Sequence, residues 1–328
     1  MKHTLLQTLL VLAAAGISGG ACAQATTRPS DFSIRPIRVI VPFTPGSATD
    51  IIARIVSLKL ADQWGLPVII DNRPSAGGIV ACTTVAEATP DGHTVLVTGS
   101  NFAGSAALYS KLPFDAVRDF AGVSQFASTP LVLVVSASLG VKSVKELIAL
   151  AHEKPGQLNF GSTGLGSGTH YGAALFNLAA GIKAEHIPYR GSPESLTDLM
   201  AGRVHYITSP VLAAVPLVQG GKVLALGVTT PYRAKALPNV PTIAEAGLPG
   251  FVYEGWYGML VPGKTPRKTV KALAAEVVHI IAMPDVQEQI SNRGAIAKSS
   301  SPEAFDKLVH DEITTRRKVW KAAGVKAE

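Results

Sequence analysis

The sequence has little cysteine, little charge and, beyond its first residues, no long apolar run. Only two of the 328 residues are cysteine, and Asp, Glu, Lys and Arg together make up 16%. If Cys22 leaves with the N-terminal segment described below, Cys82 has no internal disulfide partner, and we expect it to be a small buried residue on a helix. The 47% hydrophobic content, without low-complexity tracts, indicates a globular chain with one large domain or two of ordinary size.

Residues 1–23 have the pattern of a cleavable secretory signal. A basic start precedes an apolar stretch from Leu5 to Ala15, and small residues then lead to an Ala-Cys-Ala site that ends at Ala23. The stretch is too short for a membrane anchor. Attachment of a lipid at Cys22 is disfavoured because Gly19 stands where a large aliphatic residue is expected. No later apolar run reaches the length of about 18 residues that a membrane span needs, so we expect a soluble, exported mature protein.

Signatures of catalysis, metal binding and nucleic-acid binding are missing from the sequence. No serine lies in a Gly-x-Ser-x-Gly motif, and the eight histidines form no His-x-x-x-His pair. The formal charge is +7, but the basic residues are scattered, except at Arg316–Lys318, and no aromatic residues alternate with them. We therefore predict no catalytic residue, metal, cofactor or nucleic-acid partner. An exported hydrolase whose catalytic groups converge from distant positions stays open as an alternative.

Apolar, strand-like runs alternate with helical patterns, which predicts α/β architecture with mainly parallel sheets. Two apolar passages, Phe126–Val135 and Tyr253–Pro266, join the halves of the chain without a polar linker. They predict an inserted middle domain: residues 31–127 plus 255–328 form one lobe, and residues 128–254 form the other. The predicted strands are Ile37–Val41, Pro67–Ile70, Thr94–Thr98, Leu131–Val135, Leu158–Gly161, His186–Pro188, Tyr206–Thr208, Val223–Val228 and Gly258–Val261.

Two loops rich in Gly, Ser and Thr each follow a strand-like run and precede a helix. The first is VPFTPGSATD, Val41–Asp50, and the second is NFGSTGLGSGTH, Asn159–His170. Their backbone N–H groups and hydroxyls, with a helix dipole behind them, suit a carboxylate. The first lacks the ending of a nucleotide-binding loop, and the second departs from a dinucleotide fingerprint at Thr169. One such loop is most often a plain turn, but two of them, one in each lobe, predict a cleft that holds an anion.

A third stretch, His186–Tyr206, permits two interpretations. It is either a plain strand, turn and amphipathic helix, or it brings Gly191 to the cleft as a further helix N-terminus, with Tyr189 or Arg190 near the ligand. His170 is expected to fix its own loop by hydrogen bonding rather than to bind a metal.

Long motifs follow one another from Phe32 to the end of the chain. They read RPIRVIVPFTPGSATDIIARIVSLKLADQWGLPVIIDNRPSAGG, ATPDGHTVLV, LYSKLPFD, LNFGSTGLGSGTHYGAALF, HIPYRG, LMAGRVHY, LALGVTT and LPNVPTIAEAGLPGF. Together they resemble the Bug family of extracytoplasmic solute receptors, which is related to the binding component of tripartite tricarboxylate transporters. The resemblance implies the type II periplasmic-binding-protein fold, or Venus flytrap, with two α/β lobes joined by two crossing strands.

The same resemblance implies a non-enzymatic, monomeric receptor in the periplasm that captures a small carboxylate through backbone N–H groups, hydroxyls and ordered waters. Its partner is either a set of transporter subunits in the membrane or a signalling protein. Asp50 is expected to cap the helix after the first loop. The residues assigned to the ligand site are Phe43, Thr44, Pro45, Gly46, Ser47, Asp50, Ser100, Asn101, Ser162, Thr163, Gly164, Gly166, Ser167, His170, Tyr189 and Gly191.

The sequence departs from the family pattern at two places. Ser47 replaces the second of two glycines in the first loop, which adds a hydroxyl that donates to the ligand or narrows the site. Ser209–Pro210 stands where the family often carries an aspartate that serves the ammonium group of an amino-acid ligand. We therefore expect an organic acid without an α-ammonium group.

Overall fold

The computed structural model describes residues 28–30 and 32–326, and the predicted signal, residues 1–23, lies outside them. Strands and helices alternate along the chain, as the sequence predicts. The strands are β1 Ile37–Val41, β2 Val68–Asn72, β3 Thr94–Gly99, β4 Phe120–Ser136, β5 Asn159–Ser162, β6 Glu185–Pro188, β7 Tyr206–Pro210, β8 Val223–Val228, β9 Glu254–Pro262 and β10 Ile296–Ala297. The helices are α1 Ala48–Trp64, α2 Ile79–Ala86, α3 Asn101–Leu108, α4 Val144–Glu153, α5 Gly168–Ala180, α6 Ser192–Met200, α7 Val211–Gln219, α8 Arg267–Ala282, α9 Pro284–Ser291 and α10 Pro302–Ala322. Within the described ranges, no helix is both long and apolar enough to cross a membrane.

The strands form a mixed sheet in the order β2-β1-β3-β9-β4-β7-β5-β6, and β8 and β10 also pair with β4. Strand β1 is parallel to β2 and β3, and β5 is parallel to β6 and β7. Every pair that includes β4 or β9 is antiparallel. The prediction of mainly parallel sheets is therefore wrong, because the two connecting strands run through the middle of the sheet and oppose their neighbours.

Strand β4 serves both parts of the sheet. Its residues Phe120–Pro130 pair with β9, and from Leu131 to Ser136 it pairs with β7 and β8 instead. We call β1, β2, β3, β9, β10 and the start of β4 the first lobe. The second lobe consists of β5 to β8 and the end of β4. Because β4 and β9 are hydrogen-bonded where the two lobes meet, they form a two-stranded hinge.

Each lobe has its own apolar core. In the first lobe α1 and α8 pack on the sheet through buried residues such as Ile52 and Leu273. The core of the second lobe surrounds Phe160 and Phe176. Burying one such side chain fully contributes about 1.5–3 kcal/mol. Cys82 is buried on α2, which confirms its predicted place in a core. Since most of each core lies within one lobe, a substitution can disturb the contact between the lobes without emptying either core.

The two lobes touch each other beside the cleft, and two of these contacts show how close they come. The Thr44 hydroxyl of the first lobe donates to the Glu194 carboxylate of the second lobe over 3.2 Å. Helix α3 meets the Gly-rich loop so closely that a Cβ atom on Gly104 would lie 1.9 Å from the carbonyl oxygen of Gly166. The cleft is therefore closed in this structure.

The last helix, α10, spans both lobes. Phe305 near its start packs in a core of the first lobe. Trp320 near its end packs edge-on against Tyr171 of α5 in the second lobe, with ring centroids 5.3 Å apart. Helix α10 is thus a third connection between the lobes, made by packing rather than by continuous chain.

Candidate functional site

A narrow cavity lies between the closed lobes, beside the hinge, and has a volume of about 40 Å³. Of the residues assigned from the sequence, five line its wall: Phe43, Ser47, Ser100, Asn101 and Thr163.

The first-lobe loop is fixed by the side chain of Asp50 and by Ser47. The Ser47 hydroxyl caps α1 by accepting the Asp50 N–H at 3.3 Å, so its own proton stays available to the cavity. The Asp50 carboxylate accepts from Gly46 N–H at 2.9 Å and from Arg54 and Asn72. Burial disfavours its charge, but these hydrogen bonds hold the pKa of Asp50 below its ordinary value. Asp50 therefore fastens the loop from the first turn of α1 and does not line the cavity; the N-cap is Ser47, so the expectation that Asp50 caps this helix is wrong.

Helix α3 contributes an unusual amide to the wall. The Asn101 carbonyl oxygen accepts from the Thr98 hydroxyl at 3.0 Å and from Gly99 N–H at 3.1 Å. Its amide nitrogen is buried and has no hydrogen-bond partner among the residues that the structure describes. A buried N–H group without a partner costs about 1–3 kcal/mol, and this amide nitrogen lies close to Gly78 at the edge of the site. The neighbouring Ser100 hydroxyl accepts Trp256 N–H at 3.0 Å.

On the second-lobe side, the Gly-rich loop and the start of α5 contribute Thr163, Gly168 and Thr169 to the wall. The Thr169 hydroxyl accepts Thr163 N–H at 2.8 Å and lies 3.0 Å from the Ser167 hydroxyl, which caps α5. Ser162, Gly164, Gly166 and Ser167 lie behind these residues and do not line the cavity. Their role in the structure is to hold the turn that presents Thr163 and Thr169.

Two stacked imidazoles support this loop from behind. The rings of His170 and His186 lie 3.9 Å apart and are nearly parallel. His170 Nδ1 accepts Gly166 N–H at 3.2 Å, and His186 Nε2 lies 2.6 Å from the Ser162 hydroxyl. Burial lowers the pKa of His170 to about 2 and that of His186 to about 4, so both rings are neutral near pH 7. His170 thus fixes its loop, as predicted, and it does not line the cavity.

The third stretch reaches the cleft through Ser192. Gly191 caps α6 with its backbone, and Ser192, the first residue of that helix, lines the cavity. Tyr189 does not line the cavity, and its hydroxyl donates to Asp198 at 2.8 Å. Thr44, Pro45, Gly46 and Gly191 likewise lie beside the cavity rather than in its wall.

Five helices begin at this cavity: α1, α3 and, from the second lobe, α5, α6 and α7. Each places a first-turn or capping residue in the wall, and Pro210 does so for α7. The first N–H groups of a helix have no partner inside it, and the positive end of its dipole stabilises an anion by about 0.3–2 kcal/mol. No Lys, Arg, Asp or Glu side chain lines the cavity among the described residues. The wall can therefore bind a small anion through backbone N–H groups and hydroxyls.

The hinge strands supply wall residues that the loop patterns did not indicate. Thr129 and Leu131 of β4, Tyr253 just before β9, and Gly255 and Trp256 of β9 all line the cavity, as does Tyr257. In the sequence their apolar runs look like core strands. The sequence analysis already identified both runs as passages between the lobes. Because such passages form the floor of the cleft, they could have indicated these wall residues.

An interlobe cavity above two hydrogen-bonded hinge strands defines the class of periplasmic solute-binding proteins. More specifically, the chain belongs to the TctC family, described as the tripartite tricarboxylate transporter family receptor, whose model matches residues 52–325. Protein BugT of Bordetella pertussis is 33% identical over 97% of this chain and 96% of its own length. The predicted Bug-family membership and two-lobe α/β fold are therefore confirmed.

Two solved structures are similar to the whole described fold. R. palustris Rpa4515 with adipate is 34% identical, covers 90% of this chain and 99% of its own, and has a TM-score of 0.86. MatC of Rhodopseudomonas palustris with bound malate is 32% identical, covers 88% of this chain and 99% of its own, and has a TM-score of 0.84. Both are receptors with a carboxylate ligand. Among the residues that the structure describes, no group of three His, Cys, Asp or Glu side chains could hold a metal ion.

Proposed function

We propose that the protein is a periplasmic receptor that captures a small carboxylate between its lobes and delivers it to a tripartite tricarboxylate-type transporter. The observation that carries the proposal is a cavity reached by five helix N-termini and free of charged side chains. The adipate and malate in the two related receptors support a carboxylate ligand. The family description supports a transporter as the partner, and nothing in the comparisons favours a signalling partner.

The lobes are proposed to be residues 31–127 with 255–328, and residues 128–254. The end of the β4–β9 pairing, where Pro130 lies opposite Glu254, supports this division. An open receptor would bind the acid on one lobe, and hinge closure would bring the donors of the other lobe to it. Closure excludes water and strengthens each charge-assisted hydrogen bond. Export through a cleaved signal, a periplasmic location and a monomeric state belong to the same proposal.

The ligand is proposed to lack an α-ammonium group. Pro210 lies in the wall and Ser209 precedes it, at the place where the family often carries an aspartate. A buried ammonium group needs an anionic or several neutral acceptors, and the wall offers mostly donors. We therefore expect plain organic acids to bind more tightly than aspartate or glutamate.

A thermal-shift and calorimetric panel tests the proposal. The panel contains adipate, malate, succinate and benzoate, with aspartate, glutamate and maltose for comparison. An acid at 100 times its Kd stabilises the protein by about 2.7 kcal/mol and raises the melting temperature. If none of the organic acids binds, or if maltose alone does, the carboxylate proposal is wrong. Uptake of the bound acid by a deletion strain then tests the transport role.

The variant Asn101→Asp tests the cavity itself. It keeps the carbonyl acceptor that holds Gly99 and Thr98 but replaces the free amide by a carboxylate. Repulsion inside a closed site should weaken binding of the best acid by about 100-fold or more. Asn177→Asp is the matched control, because Asn177 accepts the Tyr206 hydroxyl at 2.7 Å and does not line this cavity. Equal effects of both variants would contradict this location of the site.

A further inference from the structure

One buried cation lies directly behind the otherwise uncharged cavity wall. Tyr253 lines the cavity, and its hydroxyl oxygen accepts a hydrogen bond from Arg316 Nη2 at 2.9 Å. Arg316 belongs to α10, and only 1% of its surface is exposed. The cation is therefore separated from the cavity by a single phenol group.

The surroundings of Arg316 hold its charge in place. Its Nε donates to the Glu312 carboxylate at 3.2 Å, and its guanidinium carbon lies 4.1 Å from the ring centroid of Tyr171. Burial opposes the charge, but Glu312 and Tyr253 hold the pKa of Arg316 above its ordinary value. Its Nη1 is buried and has no hydrogen-bond partner within the described part of the chain. The positive charge is thus permanent; Glu312 pairs with it through Nη2 at 3.1 Å as well as through Nε, and Nη1 is the one nitrogen of this guanidinium without an acceptor in the described part of the chain.

The orientation of the hydrogen bonds leaves the Tyr253 proton for the cavity. A phenol oxygen that accepts from a guanidinium can donate its own proton elsewhere. Burial raises the pKa of Tyr253, so the proton stays on the oxygen despite the nearby cation. A donor polarised by a cation favours a charged acceptor over a neutral one.

We propose that Arg316 is a positioning residue that favours anionic ligands in this cavity by polarising the Tyr253 hydroxyl, without touching the ligand. The inference rests on the proposed function and names a selectivity element of the same site. In this proposal the Tyr253 hydroxyl donates to the ligand, and the charge of Arg316 strengthens that hydrogen bond.

Binding of adipate, measured by calorimetry on the mature chain, tests the inference with four variants; another acid from the panel replaces adipate if the wild type prefers it. Tyr253→Phe and Arg316→Met should each weaken binding by about tenfold, the usual effect of a lost charge-assisted hydrogen bond. The double variant should bind adipate about as tightly as the single variant with the lower affinity, because one residue acts through the other. Arg316→Lys keeps the cation and should recover most of the affinity.

Tyr206→Phe is the matched control, since Tyr206 is fully buried and its hydroxyl bonds to Asn177 away from the cavity. It should leave adipate binding unchanged. Thermal unfolding without ligand establishes that each variant is folded; if Arg316→Met is not, Tyr253→Phe and Arg316→Lys decide. Unchanged affinity in Tyr253→Phe, or additive losses in the double variant, would overturn the inference alone. A wild-type protein that binds no acid of the panel would overturn the proposed function as well.

Discussion

Replacing Gly104 by alanine should separate the ligand affinity of the protein from its stability. Gly104 lies inside α3 of the first lobe, and an added Cβ atom would lie 1.9 Å from the carbonyl oxygen of Gly166 in the second lobe. Cβ atoms essentially never approach a heavy atom within 3.0 Å, so the lobes must move apart there by about 1.1 Å, the difference between 3.0 and 1.9 Å. The obstacle is backbone and cannot rotate away.

Such a displacement is enough to break hydrogen bonds across the cleft. A donor at 2.9 Å would move to about 4 Å, beyond hydrogen-bond range. Loss of two charge-assisted bonds, at about 1.5 kcal/mol or more each, weakens binding by about 100-fold. In the open, ligand-free protein the substitution meets no clash and improves the helix by about 0.5–1 kcal/mol. Affinity and stability should therefore change in opposite directions.

Calorimetry with the best acid of the panel and thermal unfolding without ligand measure the two quantities. Gly227→Ala is the control, because a Cβ there would crowd only Ile243 of the same lobe, at 3.0 Å. That variant should lose stability and keep its affinity. If Gly104→Ala binds as tightly as the wild type, the ligand-bound lobes do not approach as closely as in this structure, and the reasoning about closure is refuted.

Two other expectations concern the loops. Ser47→Ala removes the cap of α1 and should cost about 1 kcal/mol of stability, whereas Ser47→Gly should cost only a few tenths; equal affinity of the wild type and both variants in calorimetry would show that the hydroxyl does not reach the ligand. Melting temperature should fall as the pH drops from about 6.5 towards 4, because burial lowers the pKa of His186 to about 4 and the unfolded chain takes up the proton first. His186→Gln should make that fall less steep, and an unchanged slope would contradict it.

Local features of the fold could be predicted from the sequence, and long-range pairing could not. The loops around Ser47 and Ser167 were visible because Gly, Pro and Ser mark turns and helix starts within a few residues. The direction of strand pairing depends on which strands become neighbours after folding. No local pattern indicates that β4 continues for 17 residues through both lobes, or that the two-residue strand β10 pairs with it.

Four of the five assigned residues that line the cavity are polar, whereas the wall residues of the hinge, most of them apolar or aromatic, were missed. Ser100, Asn101 and Thr163 line the cavity, but Tyr253 and Trp256 sit in apolar runs that resemble core. Arg316 stood out in the sequence only as the start of the basic run Arg316–Lys318. Helical spacing could have indicated that Arg316 is buried, since Arg316 falls on the same buried stripe of α10 as Phe305, Val309, Ile313 and Trp320. A charged residue on an apolar helix stripe indicates that it is paired with another group inside the fold.

A wall of helix N-termini and hydroxyls has a consequence for the conditions under which capture works. Backbone N–H groups do not titrate, and burial raises the pKa values of Tyr253 and Tyr257, so these wall groups keep their protons at neutral pH. Above about pH 6.5 the imidazoles behind the loop are neutral as well. Above that pH the affinity for the ligand should not change with pH. The lower pH at which binding is lost should depend on the carboxyl groups of the ligand and on protonation of His186. The proposed capture should therefore stay steady while the acidity of the surroundings drifts around neutral.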